Sequence, residues 1–143
     1  MGLFVTFEGP DGSGKTTQIA LLAEYLRGLG YTVLITREPG GTSIGDQIRV
    51  VLHDVANANM TAPAEFLLYS ASRAQLVRQV IRPHLDKGEI VISDRYADSS
   101  TAYQGYGRGL PLDVIQMITQ FATDGLKPDL TIYLDLPAEV GIQ

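Results

Sequence analysis

Gly9-Pro10-Asp11-Gly12-Ser13-Gly14-Lys15-Thr16-Thr17 is the stretch that decides the fold of this chain. Before it runs Leu3 to Phe7, apolar and rich in β-branched and aromatic residues, and after it an apolar-periodic run from Ile19 to Leu29. Strand, glycine loop and helix therefore follow in the order a phosphate-binding loop requires. Gly9, Gly14, Lys15 and Thr16 fill the fixed positions of the Walker A pattern, with Gly12, Ser13 and Thr17 completing the loop. Glycines permit positive φ and carry no side chain, so successive N–H groups can close around an anion, and the helix N-terminus adds its dipole. Lys15 is expected to reach the outer phosphates of a nucleoside triphosphate, and the Thr16 hydroxyl to ligate Mg²⁺.

Composition narrows the alternatives. With 143 residues, of which 45% are hydrophobic, the sequence reads as one globular domain. The absence of cysteine rules out a disulfide framework and suits a cytoplasmic protein, and a net charge of −5 argues against a general nucleic-acid surface. No apolar run is long enough to span a membrane, and Leu3 to Phe7 runs straight into Glu8 rather than forming a signal segment.

Further along, Thr32 to Thr36 reads as a second buried strand, followed by Arg37-Glu38-Pro39-Gly40-Gly41-Thr42. In an open parallel sheet the carboxyl ends of strands face the ligand, so Arg37 and Glu38 stand where function is expected, although a solvated turn has the same composition. Ser43 is expected to cap the next helix with Asp46 at the capping-box spacing, and Arg49 on that helix reads as surface. Pro63 opens a longer helical pattern with an apolar stripe of Phe66, Leu67, Ser70, Ala71, Ala74, Val77 and Ile81, ending or kinking near Pro83. Tyr69 and Arg73, at i and i+4, share one face, where a ring can stack on a nucleobase and a guanidinium can bond its carbonyl. His53 and His84 have no metal-ligand spacing.

Glu89 to Tyr96 carries the second strong signal, an apolar strand that ends in Asp94-Arg95. Asp94 is the candidate carboxylate for Mg²⁺ and its waters, and Arg95 for a bidentate phosphate clamp. Ala97 to Gln104 reads as a short helix or turn in which Ser99, Ser100, Tyr103 and Gln104 can hydrogen-bond a small molecule. Gly105, Gly107 and Gly109 follow as a mobile or tightly turned segment. Pro111 to Phe121 reads as an amphipathic helix, Leu130 to Leu134 as a fourth buried strand, and Pro137 to Gln143 as the start of another helix. The expected fold is α/β: a P-loop nucleoside triphosphate hydrolase fold, a three-layer sandwich around a parallel sheet. Lys15, Arg37, Arg49, Arg73 and Arg95 gather near strand ends of an acidic protein, which points to a second anionic substrate and phosphoryl transfer to a phosphate.

From Phe4 to Gly141 the sequence resembles the bacterial thymidylate kinases, on Phe7 to Thr17, Arg37 to Thr42, Asp94-Arg95-Tyr96, Ser99 to Gly105 and Tyr133 to Gly141. That resemblance implies ATP plus dTMP giving ADP plus dTDP with Mg²⁺ in a homodimer. Tyr69 would stack on thymine, where the family commonly has phenylalanine, and Arg73 would bond the base carbonyl. Arg49 and Arg95 would hold the dTMP phosphate, while Ser100 and Gln104 contact the nucleotide and Tyr103 sits against the 2′ position of the sugar. Asp11 would approach the sugar hydroxyl or the metal shell, and Glu38 would help order the site. Gly12 stands where some members carry an arginine in the phosphate loop; members of this second type supply arginines from a lid beyond the segment around Glu139-Val140-Gly141. Residues 1–143 are thus expected to be one kinase domain ending before the lid and the fifth strand of the family. A kinase for another nucleotide or deoxynucleoside, or a binding fragment without catalysis, remain the alternatives.

Overall fold

The computed structural model describes residues 1–135; the expected helix from Pro137 lies outside them. Four strands form one parallel sheet in the order β2-β3-β1-β4, with β1 at Leu3–Glu8, β2 at Val33–Arg37, β3 at Ile90–Asp94 and β4 at Leu130–Tyr133. Helix α1 spans Lys15–Gly28, α2 Ser43–His53, α3 Ala62–Leu76, α4 Arg82–Asp86, α5 Ala97–Ser100 and α6 Leu112–Thr123. The α/β class and the parallel sheet expected from the sequence are both present.

The chain divides into two compact units. One comprises Met1–Arg37, Pro83–Tyr96 and the described residues from Pro128 on; the other comprises Glu38–Arg82 and Ala97–Lys127. The first unit is the sheet with α1. Val5, Phe7, Ile19, Ala23, Val33, Ile90 and Ile92 form its buried cluster, so the alternate apolar residues of β1 and β3 meet the Ile19/Ala23 stripe of α1. Phe4, fully buried, meets the Tyr96 ring edge-on with centroids 5.0 Å apart. Asp129 locks the start of β4 by accepting from Phe4 N through Oδ2 at 2.8 Å while its own N–H donates to Phe4 O at 2.8 Å.

Burial of β4 departs from expectation. Leu130 and Tyr133 are 52% and 63% exposed. Among the described residues β4 pairs only with β1. Among the described residues its apolar pattern thus lies at the edge of the sheet, and periodicity alone does not separate an edge from a centre.

In the second unit, Thr42 rather than Ser43 caps α2: its extended backbone lets Oγ1 accept from Gly45 N at 2.9 Å, and Asp46 Oδ1 reaches back to Gly41 N at 3.1 Å. The buried side of α3 is also shifted from the expected stripe. Phe66, Ser70, Ser72, Arg73 and Leu76 are inside, whereas Leu67 and Ala71 are exposed. Polar Ser72 and Arg73 face inward because they serve a loop, which an apolar count does not anticipate. The break expected near Pro83 comes earlier, as a π-helical turn at Val77–Ile81 that closes with Arg82 N donating to Val77 O. Such a turn places the missing proline N–H where the α ladder is already interrupted.

Residues Thr101–Tyr106 form a second π-helical turn, tightened by Gly107 N to Ala102 O at 2.9 Å and Gly109 N to Gly105 O at 2.8 Å. Gly105 is a packing residue, since a Cβ there would lie 2.8 Å from Leu112 Cδ2 and 3.1 Å from Ile115 Cδ1. Of the two expectations for this segment, tight turning holds. Gly45 is crowded in the same way: a Cβ would meet Ser72 Oγ at 2.9 Å, Thr42 Oγ1 at 3.0 Å and Gly40 O at 3.1 Å. Gly→Ala in a helix interior ordinarily stabilises by about 0.5–1 kcal/mol. Gly45→Ala is expected to do the reverse, lowering stability by about 1–3 kcal/mol because the fully buried Ser72 and the Thr42 cap must yield. The midpoint of urea unfolding checks the sign.

Candidate nucleotide-binding site

The phosphate loop belongs to the first unit. Gly9, Gly12 and Gly14 take φ of 149°, 77° and 89°, so the glycine pattern is a conformational requirement here. A Cβ on Gly9 would also lie 3.0 Å from Leu134 O. Gly14 stands at the N-cap of α1 and no side chain caps that terminus, leaving its N–H groups available to an anion. Lys15 is only 6% exposed, and its Nζ donates to Gly9 O at 2.9 Å and Pro10 O at 3.2 Å. Among the described residues no carboxylate pairs with it. Carbonyls meet its donors without a carboxylate occupying the place that an anionic ligand would take.

Asp94 ends β3, where its Oδ1 is buried with no hydrogen-bond partner. Thr16, in the first turn of α1, is exposed. An orphaned carboxylate oxygen and an exposed hydroxyl are a donor set that suits a hard cation bound partly through water. Arg95 follows with φ 73°, unusual for a residue with a side chain. Neighbouring bonds hold that backbone: Arg95 N to Phe7 O at 2.9 Å, Ser93 Oγ to Arg95 O at 2.7 Å and Tyr96 N to Glu8 Oε2 at 2.9 Å. The Arg95 side chain is 17% exposed and its Nη2 meets Asp11 Oδ1 at 2.6 Å, with Asp11 96% exposed. Two residues singled out separately in the sequence are thus partners. Glu8 is a residue that sequence reasoning missed; the available signal was an acid closing an otherwise apolar strand.

Arg49, Tyr69, Arg73, Ser100, Tyr103, Gln104 and Glu38 belong to the second unit. Its loop from Glu38 to Gly41 is tied at every residue. Arg73 Nε donates to Glu38 Oε1 at 2.6 Å, with the two side chains 1% and 3% exposed. Arg49 Nη1 donates to Pro39 O at 2.9 Å, Gly40 N to Ser72 Oγ at 3.0 Å and Gly41 N to Asp46. Arg49, which by its pattern alone reads as surface, is half-buried and tied to this loop, and Arg73 is more deeply buried than Tyr69, its i−4 neighbour. Ser100 is buried with Oγ unpartnered, as are Ser70 Oγ and Glu38 Oε2. Gln104 is buried, and Tyr103 is half exposed. Glu65 was not singled out in the sequence, where it reads as an acid favoured by the first turn of α3. It accepts from Gln104 Nε2 at 3.0 Å and from Arg108 Nη1 at 2.8 Å.

A parallel α/β sheet with a glycine loop running from strand into helix and a buried lysine at its turn defines a P-loop nucleotide-binding protein. Residues 7–143 match the thymidylate kinase family model. The thymidylate kinase of Geotalea daltonii is 59% identical over all 143 residues, and that of a Roseiflexus species 57%. The chain spans 67% and 63% of the length of those two relatives. A crystal structure of thymidylate kinase from Ehrlichia chaffeensis superposes with a TM-score of 0.87 at 42% identity, covering 94% of this chain and 75% of that one. The chain belongs to the thymidylate kinase family.

Burial pushes the Glu38 carboxyl above its ordinary value, and the attraction and hydrogen bond of Arg73 offset only part of that. A carboxyl whose folded pKa is raised contributes its full stability below the unfolded pKa and loses it as pH rises through the folded value. The stability difference between the wild type and Glu38→Gln is therefore expected to move against the wild type as pH climbs from the ordinary carboxylate value through the raised one. Urea midpoints of both proteins at a series of pH values measure it; a difference moving the other way would contradict the assignment.

Proposed function

We propose that this chain carries the nucleotide-binding and acceptor-binding residues of a kinase that transfers the γ-phosphoryl group of ATP to dTMP. The observation that carries the reading is the buried, carboxylate-free Lys15 ammonium beneath an uncapped helix terminus. Gly9, Gly12, Ser13, Gly14, Lys15, Thr16 and Thr17 would take the ATP phosphates. Thr16 and Asp94 would hold Mg²⁺, which supplies charge neutralisation at the phosphates when bound. Family membership supports the reaction, and the orphaned Asp94 oxygen supports the metal.

On the acceptor side, Tyr69 would stack on thymine while Arg73, oriented through Glu38, donates to the base carbonyl. Ser100 and Gln104 would contact the nucleotide and Tyr103 would crowd the sugar 2′ position. Arg49 and Arg95 would hold the dTMP phosphate. For Arg95 this means exchanging Asp11 for phosphate, a small cost because exposed ion pairs contribute only about 0–1 kcal/mol. Asp11, once released, would turn to the sugar hydroxyl or the metal shell. A dTMP phosphate oxygen attacks the γ-phosphorus, the bond to the β–γ bridging oxygen breaks, and that oxygen leaves with ADP. Since the nucleophile is already anionic, no strong base is needed; the protein aligns the groups and neutralises charge.

A homodimer belongs to the same proposal and is supported by exposed apolar residues on α2 and α6, among them Val50 at 68%, Met117 at 69% and Phe121 at 80%. No helix of the described residues is long and apolar enough to cross a membrane. A cytoplasmic site of action is proposed with the ATP-using role.

Incubation with Mg·ATP and dTMP, UMP or thymidine, read as nucleoside diphosphate formed, tests the reaction on this chain and on a form lengthened to the size of its relatives. dTDP is expected as the preferred product, with Lys15→Met slower by at least about 100-fold. Preference for UMP or thymidine, or no dTDP from either form, would overturn the proposal.

A further inference from the structure

Gln104 is 3% exposed, yet its side-chain amide has one hydrogen bond among the described residues, from Nε2 to Glu65 Oε1 at 3.0 Å. Glu65 Oε2 is engaged by the Arg108 guanidinium at 2.8 Å, and Arg108 Nη2 also donates to Met60 O at 3.1 Å. A carboxylate beside a guanidinium accepts and does not donate, so only the NH₂ end of Gln104 can face it. The amide cannot flip without placing a carbonyl oxygen against a carboxylate oxygen. Gln104 Oε1 is consequently left as an acceptor without a hydrogen bond among the described residues, in a unit that also holds the buried, unpartnered Ser100 Oγ four residues earlier. A buried hydroxyl without a partner and an amide oxygen with no donor among the described residues suit a ligand with matching groups.

We propose that Glu65 is a positioning residue for specificity: by fixing Gln104 with its Oε1 presented as an acceptor, it selects a pyrimidine base that carries a hydrogen on N3. The inference rests on the acceptor reading given above. Thymine and uracil have a donor at N3 and a carbonyl at position 4; cytosine has an acceptor at N3 and an amino group at position 4. Against cytosine, Gln104 Oε1 would face a lone pair, and the guanidinium of Arg73, a donor only, would face an amino group. Each such mismatch leaves buried polar groups unpaired, which is how polar sites discriminate strongly.

Isothermal titration of dTMP, dCMP and N3-methyl-dTMP into the wild-type chain, Glu65→Gln and Arg108→Leu tests this. Glu65→Gln keeps the shape but supplies a donor, so Gln104 is free to turn. The wild type is expected to bind dTMP more tightly than dCMP and N3-methyl-dTMP by at least about tenfold, and Glu65→Gln to lower the dTMP:dCMP ratio about tenfold. Arg108→Leu loosens the same carboxylate but leaves it an acceptor, so the ratio is expected to stay within about twofold, which a merely structural role for Glu65 would not produce. A wild type that prefers dTMP, with the ratio retained in Glu65→Gln, overturns this inference and leaves the acceptor reading standing. A wild type that does not bind dTMP, or does not distinguish it from dCMP, overturns the acceptor reading and this inference with it. Should Glu65→Gln fail to fold, undiminished binding of N3-methyl-dTMP by the wild type overturns the inference alone.

Discussion

A lysine ammonium buried against two backbone carbonyls is the constraint on which the first unit is arranged. Burying a charge without a counter-charge is costly, and the loop accommodates Lys15 only by folding Gly9 O and Pro10 O onto it. That turn needs positive φ at Gly9, Gly12 and Gly14. It must also be anchored where β1 ends, in the strand whose Phe4, Val5 and Phe7 are at most 3% exposed. Rigid strand, glycine turn and a helix terminus without a side-chain cap together leave backbone N–H groups and the Lys15 ammonium without a paired carboxylate among the described residues. Such an arrangement of donors favours an anion.

The second unit meets its own buried charge differently. Arg73 is paired with Glu38, and the loop that presents Glu38 is held by Arg49, Ser72 and Asp46. Side chains expected to wait for substrate are thus also the ties of the loop. Pre-arranged donors spend less free energy on ordering when a ligand arrives. Arg95 follows the same logic in the first unit. Its strained backbone is fixed by three hydrogen bonds while its exposed partner Asp11 is easily exchanged.

Much of this could be read from the sequence where one local rule sufficed. The phosphate loop is such a case, because glycine spacing, lysine position and flanking periodicities all bear on a single turn. Strand and helix order followed for the same reason. Less accessible were features set by partners distant in sequence: Arg73 buried on Glu38, Arg49 bonded to Pro39, Arg95 bonded to Asp11, and Glu65 holding Gln104. An i, i+4 pattern places Arg73 on a face of α3 but does not say which face is inside when Ser72 and Arg73 replace apolar residues there. β4 has the composition of a central strand and the exposure of an edge, since composition does not record the number of neighbours. Thr42, in place of Ser43, shows the usual one-residue ambiguity of a cap among consecutive hydroxyl residues.

Lys15, buried against two carbonyls and placed to meet an anion, is the centre of the site, and the resonances of its ammonium group report on that directly. Titration with Mg·ATP, followed by NMR of the Lys15 Nζ and Cε signals, is predicted to shift them saturably as phosphate oxygens replace the carbonyls of Gly9 and Pro10. Adenosine, lacking phosphate, is predicted to leave them in place. Lys15 signals that stay unmoved at saturating Mg·ATP, or that respond equally to adenosine, would contradict it.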